Sequence, residues 1–298
     1  MKMIKLNVAL PIFAVAALGA GCARTSIGTH EFQWTEDIVY SRPADGIDLN
    51  MQIAVPKGLK APAPAILWLH GGGWAFGKKE LMKPISEFTA SLGYVSATAQ
   101  YRLVKQGKFP APVLDAAAAI RFLRKNASEY NIDPERIAIG GESAGGHIAL
   151  LVGLSNDPTL IGSEPYTGVS SRVSCIIDIY GPTLLEPMYT KPSLAGKSLI
   201  GNFVGGDPAT VPELYKAASP INHVRADSPP ILILHGDMDW VVPYSQAEAL
   251  ASVCTERGAR FELGCVSGAN HAWIGQPRGR NCIATLPLIA NFLGRTLH

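Results

Sequence analysis

From about residue 36 onward, short apolar runs alternate with longer segments whose apolar positions recur at helical spacing. The runs predict strands over Asp37–Ser41, Leu49–Val55, Ala65–His70, Tyr94–Tyr101, Arg136–Gly140, Val173–Tyr180, Pro230–His235 and Arg260–Val266. Several are apolar at nearly every position, the pattern of strands covered on both faces rather than on one. Helices are predicted over Met82–Ser91, Pro112–Asn126, Ala144–Leu154, Tyr244–Arg257 and Asn281–Leu293. Pro112 suits a first helical turn, and Val113, Ala116, Ala117, Ile120, Phe122 and Leu123 then form a broad apolar face. This alternation predicts an α/β fold with a mostly parallel central sheet of about eight strands and helices on both faces. Residues 155–172 and 182–222 break the rhythm and are rich in Gly, Pro, Ser and Thr. Connections of that length usually have a job, so they are expected to be insertions that line or cover a site rather than a second domain.

The N-terminus has a different pattern. A short basic start, Met1 to Lys5, precedes an almost wholly apolar stretch, Leu6 to Ala20, and then small residues. That is the form of a signal peptide over residues 1–22, followed by an N-terminal linker over 23–35, with a buried N-terminal helix as the alternative. Leu18-Gly19-Ala20-Gly21-Cys22 resembles a bacterial lipoprotein signal, although Gly19 stands where a larger aliphatic residue is usual. The resemblance implies lipidation at Cys22. Cleavage after Ala23 would instead give a secreted protein. Either way the chain is expected to be exported, periplasmic or membrane-anchored as a lipoprotein, or else secreted, and to meet a membrane only through that anchor.

The composition of the whole 298-residue chain is ordinary for a globular protein: 47% hydrophobic, 17% charged, net charge +2. No Lys/Arg run points to nucleic acid as a partner. Export would place Cys175, Cys254, Cys265 and Cys282 in an oxidising compartment, where three disulfide pairings are open, one of them a Cys265–Cys282 bridge beside His271. Four buried thiols are the equal alternative. No cysteine pair has metal-ligand spacing, and neither a metal nor another cofactor is expected.

Two runs carry the chemistry. His70-Gly71-Gly72-Gly73-Trp74 follows a predicted strand, and Gly141-Glu142-Ser143-Ala144-Gly145 joins a predicted strand to a predicted helix. A serine hydroxyl is a weak nucleophile that needs a base, a group to orient the base, and donors for the oxyanion of acyl transfer. Ser143, between glycines at a strand-to-helix turn, has the required setting. Four histidines compete as the base: His147 on the same helix, His223 in a loop, His235 ending a strand, and His271 after the last strand. Two carboxylates, Asp237 and Asp239, stand past the strand ending at His235. Asp115 and Glu142 read more simply as structural polar groups. Trp74, Trp240 and Trp273 each flank one of these segments and belong either to a substrate pocket or to the core.

With Tyr101-Arg102-Leu103, Phe109-Pro110-Ala111, Asp133-Pro134, Ser143-Ala144-Gly145-Gly146-His147 and Ala218-Ser219-Pro220, the chain resembles the α/β-hydrolase esterases related to hormone-sensitive lipase. The resemblance is closest to their bacterial carbohydrate-ester branch of feruloyl- and acetyl-esterase-like enzymes. It spans residues 36–298. It implies the chain order Ser, acid, His, hence Ser143 as nucleophile, Asp239 as acid and His271 as base. Asp237 is then left to fix its own turn. The resemblance further implies an oxyanion hole of the Gly72, Gly73 and Ala144 amides, and a place for Trp74 in substrate binding. The activity implied is hydrolysis of a small-molecule ester, short-chain or aromatic and of a kind found linked to carbohydrate, through an acyl-enzyme. An arylformamidase-like amide hydrolase and a non-catalytic binding protein on the same fold are the alternatives.

Overall fold

The computed structural model describes residues 3–6, 29–190, 197–274 and 279–297. Nine strands form one sheet: β1 Met3–Leu6, β2 Phe32–Ser41, β3 Leu49–Pro56, β4 Ala63–Leu69, β5 Val95–Ala99, β6 Ile132–Glu142, β7 Ile176–Ile179, β8 Ile231–Gly236 and β9 Phe261–Val266. Their spatial order is β1-β9-β8-β7-β6-β4-β5-β3-β2. The β2–β3 and β3–β5 pairs are antiparallel. Every other pair is parallel. The eight predicted strands are all present, and Met3–Leu6 adds a ninth at the edge. Residues 7–28, with Cys22 and most of the expected export signal, lie outside the described residues.

Alternation along the strands explains the two-sided burial. In β4, Ala65, Leu67 and Leu69 face one apolar layer while Ile66 and Trp68 face the other. The first layer is closed by α2 Ala111–Lys125, α3 Ala144–Leu154 and α8 Ser245–Arg257. The second is closed by α1 Lys83–Ser91 and α9 Arg280–Thr296. Helix α3 is apolar all round, and almost all of it is buried, as expected of a helix surrounded by the rest of the fold.

Two expectations are corrected, and one open alternative is decided. Residues 32–35, expected in the linker, begin β2. A register shift between Thr35 and Ile38 interrupts that strand and hides its alternation in the sequence. Secondly, the described residues of the two insertions contain four short α-helices, α4 Pro158–Ile161, α5 Leu185–Thr190, α6 Lys197–Val204 and α7 Pro212–Ala217. Only the second insertion reaches the site described below. The first is clamped on the flank of α2: Arg121 donates to the carbonyls of Ile161 (2.9 Å) and Val169 (3.0 Å), and Arg124 to that of Arg172 (2.7 Å). Thirdly, no disulfide forms among the described residues, and Cys175, Cys254 and Cys282 are free thiols. The sheet separates Cys265 from Cys282, one of the pairings left open. Cys282 packs in the layer of α9, whereas Cys265 alternates with Val266 onto the opposite face and hydrogen-bonds Tyr244.

Candidate active site

Ser143 sits between β6 and α3 with φ 51° and ψ −119°. Positive φ is costly for a residue with a side chain, on the order of 1–3 kcal/mol, and persists only where surroundings hold it. Those surroundings are the Ser143 N–H to Ile179 carbonyl bond (2.8 Å) and the first helical bond, from His147 N–H to the Ser143 carbonyl (3.0 Å). The turn needs its glycines for a steric reason. A Cβ on Gly145 would stand 2.1 Å from the Leu69 carbonyl oxygen, and one on Gly141 would stand 2.4 Å from the Gly145 carbonyl carbon.

The structure brings Ser143, His271 and Asp239 together. Ser143 Oγ lies 2.9 Å from His271 Nε2, and His271 Nδ1 lies 2.6 Å from Asp239 Oδ2. The remaining oxygen of Asp239, Oδ1, accepts the N–H groups of Val241 and Val242, each at 2.9 Å. Burial works to raise the Asp239 carboxyl, but hydrogen bonds from His235 and His271 and the charge of His271 outweigh it and hold the group well below the usual carboxylate range. An ionised Asp239 that accepts from Nδ1 leaves Nε2 of His271 as the acceptor facing Ser143.

The loops carrying the acid and the histidine are zipped together. Met238 N–H donates to the Ala269 carbonyl (3.1 Å), and Gly268 N–H donates to Asp237 Oδ1 (2.6 Å). Asp237 therefore braces the histidine loop instead of its own turn.

The glycine run folds back on itself, with Ala75 and Phe76 N–H both donating to the Gly72 carbonyl (3.1 and 3.0 Å). Gly72 takes φ 113° and Gly73 φ 58°, values that favour glycine. His70 anchors the loop by stacking on Tyr101 at 4.4 Å, while the Tyr101 hydroxyl donates to the His70 carbonyl (2.8 Å). Gly72, Gly73 and Ala144 line the cavity that opens on Ser143. Ala144 is the first residue of α3, where backbone N–H groups have no partner within the helix.

Of the rival histidines, His147 is fully buried and bonded on both edges. Trp74 Nε1 donates to its Nδ1 (3.3 Å), and its Nε2 donates to the Ala218 carbonyl (2.8 Å). Burial pushes it down to about 4, so it is neutral at physiological pH. His223 donates to the Ala217 carbonyl (2.7 Å), and His235 to that of Val242 (2.8 Å). Asp115 binds Arg102 in a buried ion pair (2.7 Å).

The cavity measures about 280 Å³ and is walled mainly by Trp74, Pro182, Met188, Leu199, Val241 and Val242. Trp74 lies buried, stacked on Phe203 of α6 at 4.3 Å. Trp273 is buried against Tyr180, and Trp240 is exposed. Sequence reasoning missed Tyr180, whose ring lies 4.7 Å from that of His271 and whose hydroxyl donates to Glu142. Its place at the carboxyl end of a predicted strand was the available signal. Among the described residues no group of three or more His, Cys, Asp or Glu could hold a metal ion, and no helix is long and apolar enough to cross a membrane.

Residues 51–253 match the BD-FAE family model. The chain belongs to that family, among the α/β-hydrolase esterases related to hormone-sensitive lipase. It is 33% identical to esterase LipQ of Mycobacterium tuberculosis over 66% of its own length and 47% of LipQ. It spans about half the length of the curated relatives it matches. Among solved structures, a truncated carbohydrate esterase from gut microbiota superposes with a TM-score of 0.78 at 28% identity, covering 90% of this chain and 97% of the other. The thermophilic esterase Est2 of Thermogutta terrifontis superposes at 0.74 with 31% identity, covering 91% and 93%. Est2 has also been solved phosphonylated by sarin.

Proposed function

We propose that the protein is a serine carboxylic ester hydrolase acting on small esters through an acyl-enzyme. The observation that carries this reading is the continuous chain from Ser143 Oγ to His271 to Asp239 at 2.9 and 2.6 Å. In the first step His271 Nε2 takes the hydroxyl proton as Ser143 Oγ bonds to the ester carbonyl carbon. The carbonyl oxygen becomes an oxyanion, received by the N–H groups of Gly72, Gly73 and Ala144. A single donor of that kind contributes roughly 3 kcal/mol in the transition state. Collapse of the tetrahedral intermediate breaks the bond to the alcohol oxygen, which leaves with the proton from His271. A water then gives a proton to the same nitrogen as its oxygen attacks the acyl carbon, and collapse of this second tetrahedral intermediate breaks the bond to Ser143 Oγ, which takes the proton back from His271 as the acid leaves. Asp239 keeps the imidazole in the required tautomer and balances the imidazolium in both steps.

The cavity sets the substrate size. At about 280 Å³ it lies at the lower end of small-molecule sites, and its apolar wall suits a short acyl chain. The likeness to a carbohydrate esterase supports an acylated sugar as the natural substrate class. Turnover of matched acetyl, butyryl, feruloyl and N-formyl compounds tests this: acetyl and butyryl esters are expected to lead. Preference for the N-formyl amide would overturn it. We also propose that Cys22 receives a lipid. Loss of acyl labelling in Cys22→Ala tests this separately, and labelling that persists would refute it.

A further inference from the structure

Strand β7 lies between β6 and β8 in the sheet. Its carboxyl end therefore stands between the turn that bears Ser143 and the loop that bears Asp239. Tyr180, the residue at that end, is fully buried and takes φ 44°. A bulky residue rarely accepts a positive φ, and such a conformation persists only where its surroundings hold it. The Tyr180 N–H donates to the Leu234 carbonyl at 2.8 Å, which ties this backbone to β8. The ring centre lies 4.7 Å from that of the His271 imidazole and 5.3 Å from that of Trp273.

The hydroxyl of Tyr180 carries two bonds. It donates to Glu142 Oε2 and accepts the Ile274 N–H, which a phenol can do at once because it has one proton and free lone pairs. Burial and the Glu142 charge raise this hydroxyl well above its ordinary range, so it stays protonated and remains the donor. Glu142 directly precedes Ser143, and its side chain lies against the glycine loop: a Cβ on Gly71 would stand 3.4 Å from Glu142 Cγ. Ile274 follows His271 by three residues. One buried hydroxyl thus joins the nucleophile turn to the histidine loop. The acid loop secures that loop ahead of His271, at Gly268 and Ala269. Beyond His271 the chain turns through Ala272 at φ 62°, and the bond to Tyr180 secures it there.

We propose that Tyr180 is a positioning residue for His271. Its ring bears on the imidazole, and its hydroxyl, held between Glu142 and the Ile274 N–H, keeps Nε2 of His271 at bonding distance from Ser143 Oγ. Tyr180 acts through His271, so the inference rests on the reading of His271 as the base of the site.

Tyr180→Phe keeps the ring and removes both hydroxyl bonds. On a short p-nitrophenyl ester it is expected to lower kcat about tenfold, the scale of a small misplacement of a reacting group, with KM within about twofold. In proton NMR the His271 Nδ1 proton, assigned by its absence in His271→Gln, is expected to exchange with water about tenfold faster in the variant, because the loop opens locally more often. A merely structural hydroxyl would lower Tm and leave kcat and this exchange at the parent values, and that result would overturn the proposal. A double-mutant cycle tests the route through Glu142. In a Glu142→Ala background Tyr180→Phe is expected to cost at most about threefold in kcat, and an undiminished loss there would also overturn the proposal. Should Tyr180→Phe fail to fold, the parent still decides: a nuclear Overhauser contact between the ring protons of Tyr180 and His271 is expected, and its absence would refute the contact. Fluorophosphonate labelling keeps the two readings apart. No adduct on Ser143 of the parent refutes the reading of the site. An adduct that forms about tenfold more slowly in Tyr180→Phe supports the positioning role, and one that forms at the parent rate refutes that role alone.

Discussion

The indole of Trp74 donates from Nε1 to His147 Nδ1 across 3.3 Å, which ties the glycine loop to the helix that begins after Ser143. Trp74 also stacks on Phe203, so one side chain couples the loop, the helix and the second insertion. Trp74→Phe keeps an aromatic ring against Phe203 and removes the bond, leaving a buried acceptor unpaired at a cost of about 1–3 kcal/mol. We expect a lower Tm and a several-fold fall in kcat on a short p-nitrophenyl ester. An unchanged Tm and kcat would show that the bond carries no weight.

His147 also makes stability depend on pH. Its folded pKa is about 4 against an ordinary 6.5. Between these values the unfolded chain binds a proton that the folded chain refuses, so stability falls as pH drops through this window. At about 1.4 kcal/mol per unit, the full penalty is about 3 kcal/mol once pH lies below the folded value. Denaturant melts from pH 7 to pH 4 are expected to show a shallower loss for His147→Gln than for the parent. Parallel curves would contradict this.

Asp237 braces the histidine loop through the Gly268 N–H at 2.6 Å. It is exposed, so solvent weakens the bond, and Asp237→Ala is expected to cost only about 1 kcal/mol of stability. The larger effect falls on the rate, because His271 follows three residues later. A tenfold loss of kcat with a Tm within a few degrees is expected, and unaltered turnover would exclude the bracing role.

Leu199 of α6 forms one wall of the cavity, close to Gly73. Leu199→Ala enlarges the acyl space. The ratio of kcat/KM for hexanoate over acetate esters is expected to rise about tenfold, the scale of one or two methylene contacts. A constant ratio would place the acyl group elsewhere.

Much of this architecture is legible in the chain, and the remainder fails for definable reasons. Strands β4 and β8 announce themselves because burial on both faces leaves apolar runs, as in Ala65–Leu69. The start of β2 does not, because the irregularity near Glu36 and Asp37 breaks its alternation. Ser143 stands out because close backbone approach demands glycine around it, and the resemblance directs attention to Asp239 and His271. The partners of those residues stay hidden. Whether Trp74 meets His147 is decided by the course of the glycine loop. The clamp of Arg121 on Ile161 and Val169 likewise appears only once the first insertion is seen packed on α2.

The central claim is that Ser143 is a nucleophile activated by His271 and Asp239. Intact mass and peptide mapping after a short exposure to a fluorophosphonate tests it most directly. One adduct on Ser143 is predicted for the parent, none for a folded Ser143→Ala, and labelling at least a hundredfold slower for Asp239→Asn. An adduct at another residue, or ester hydrolysis retained in full by folded Ser143→Ala, would contradict the account.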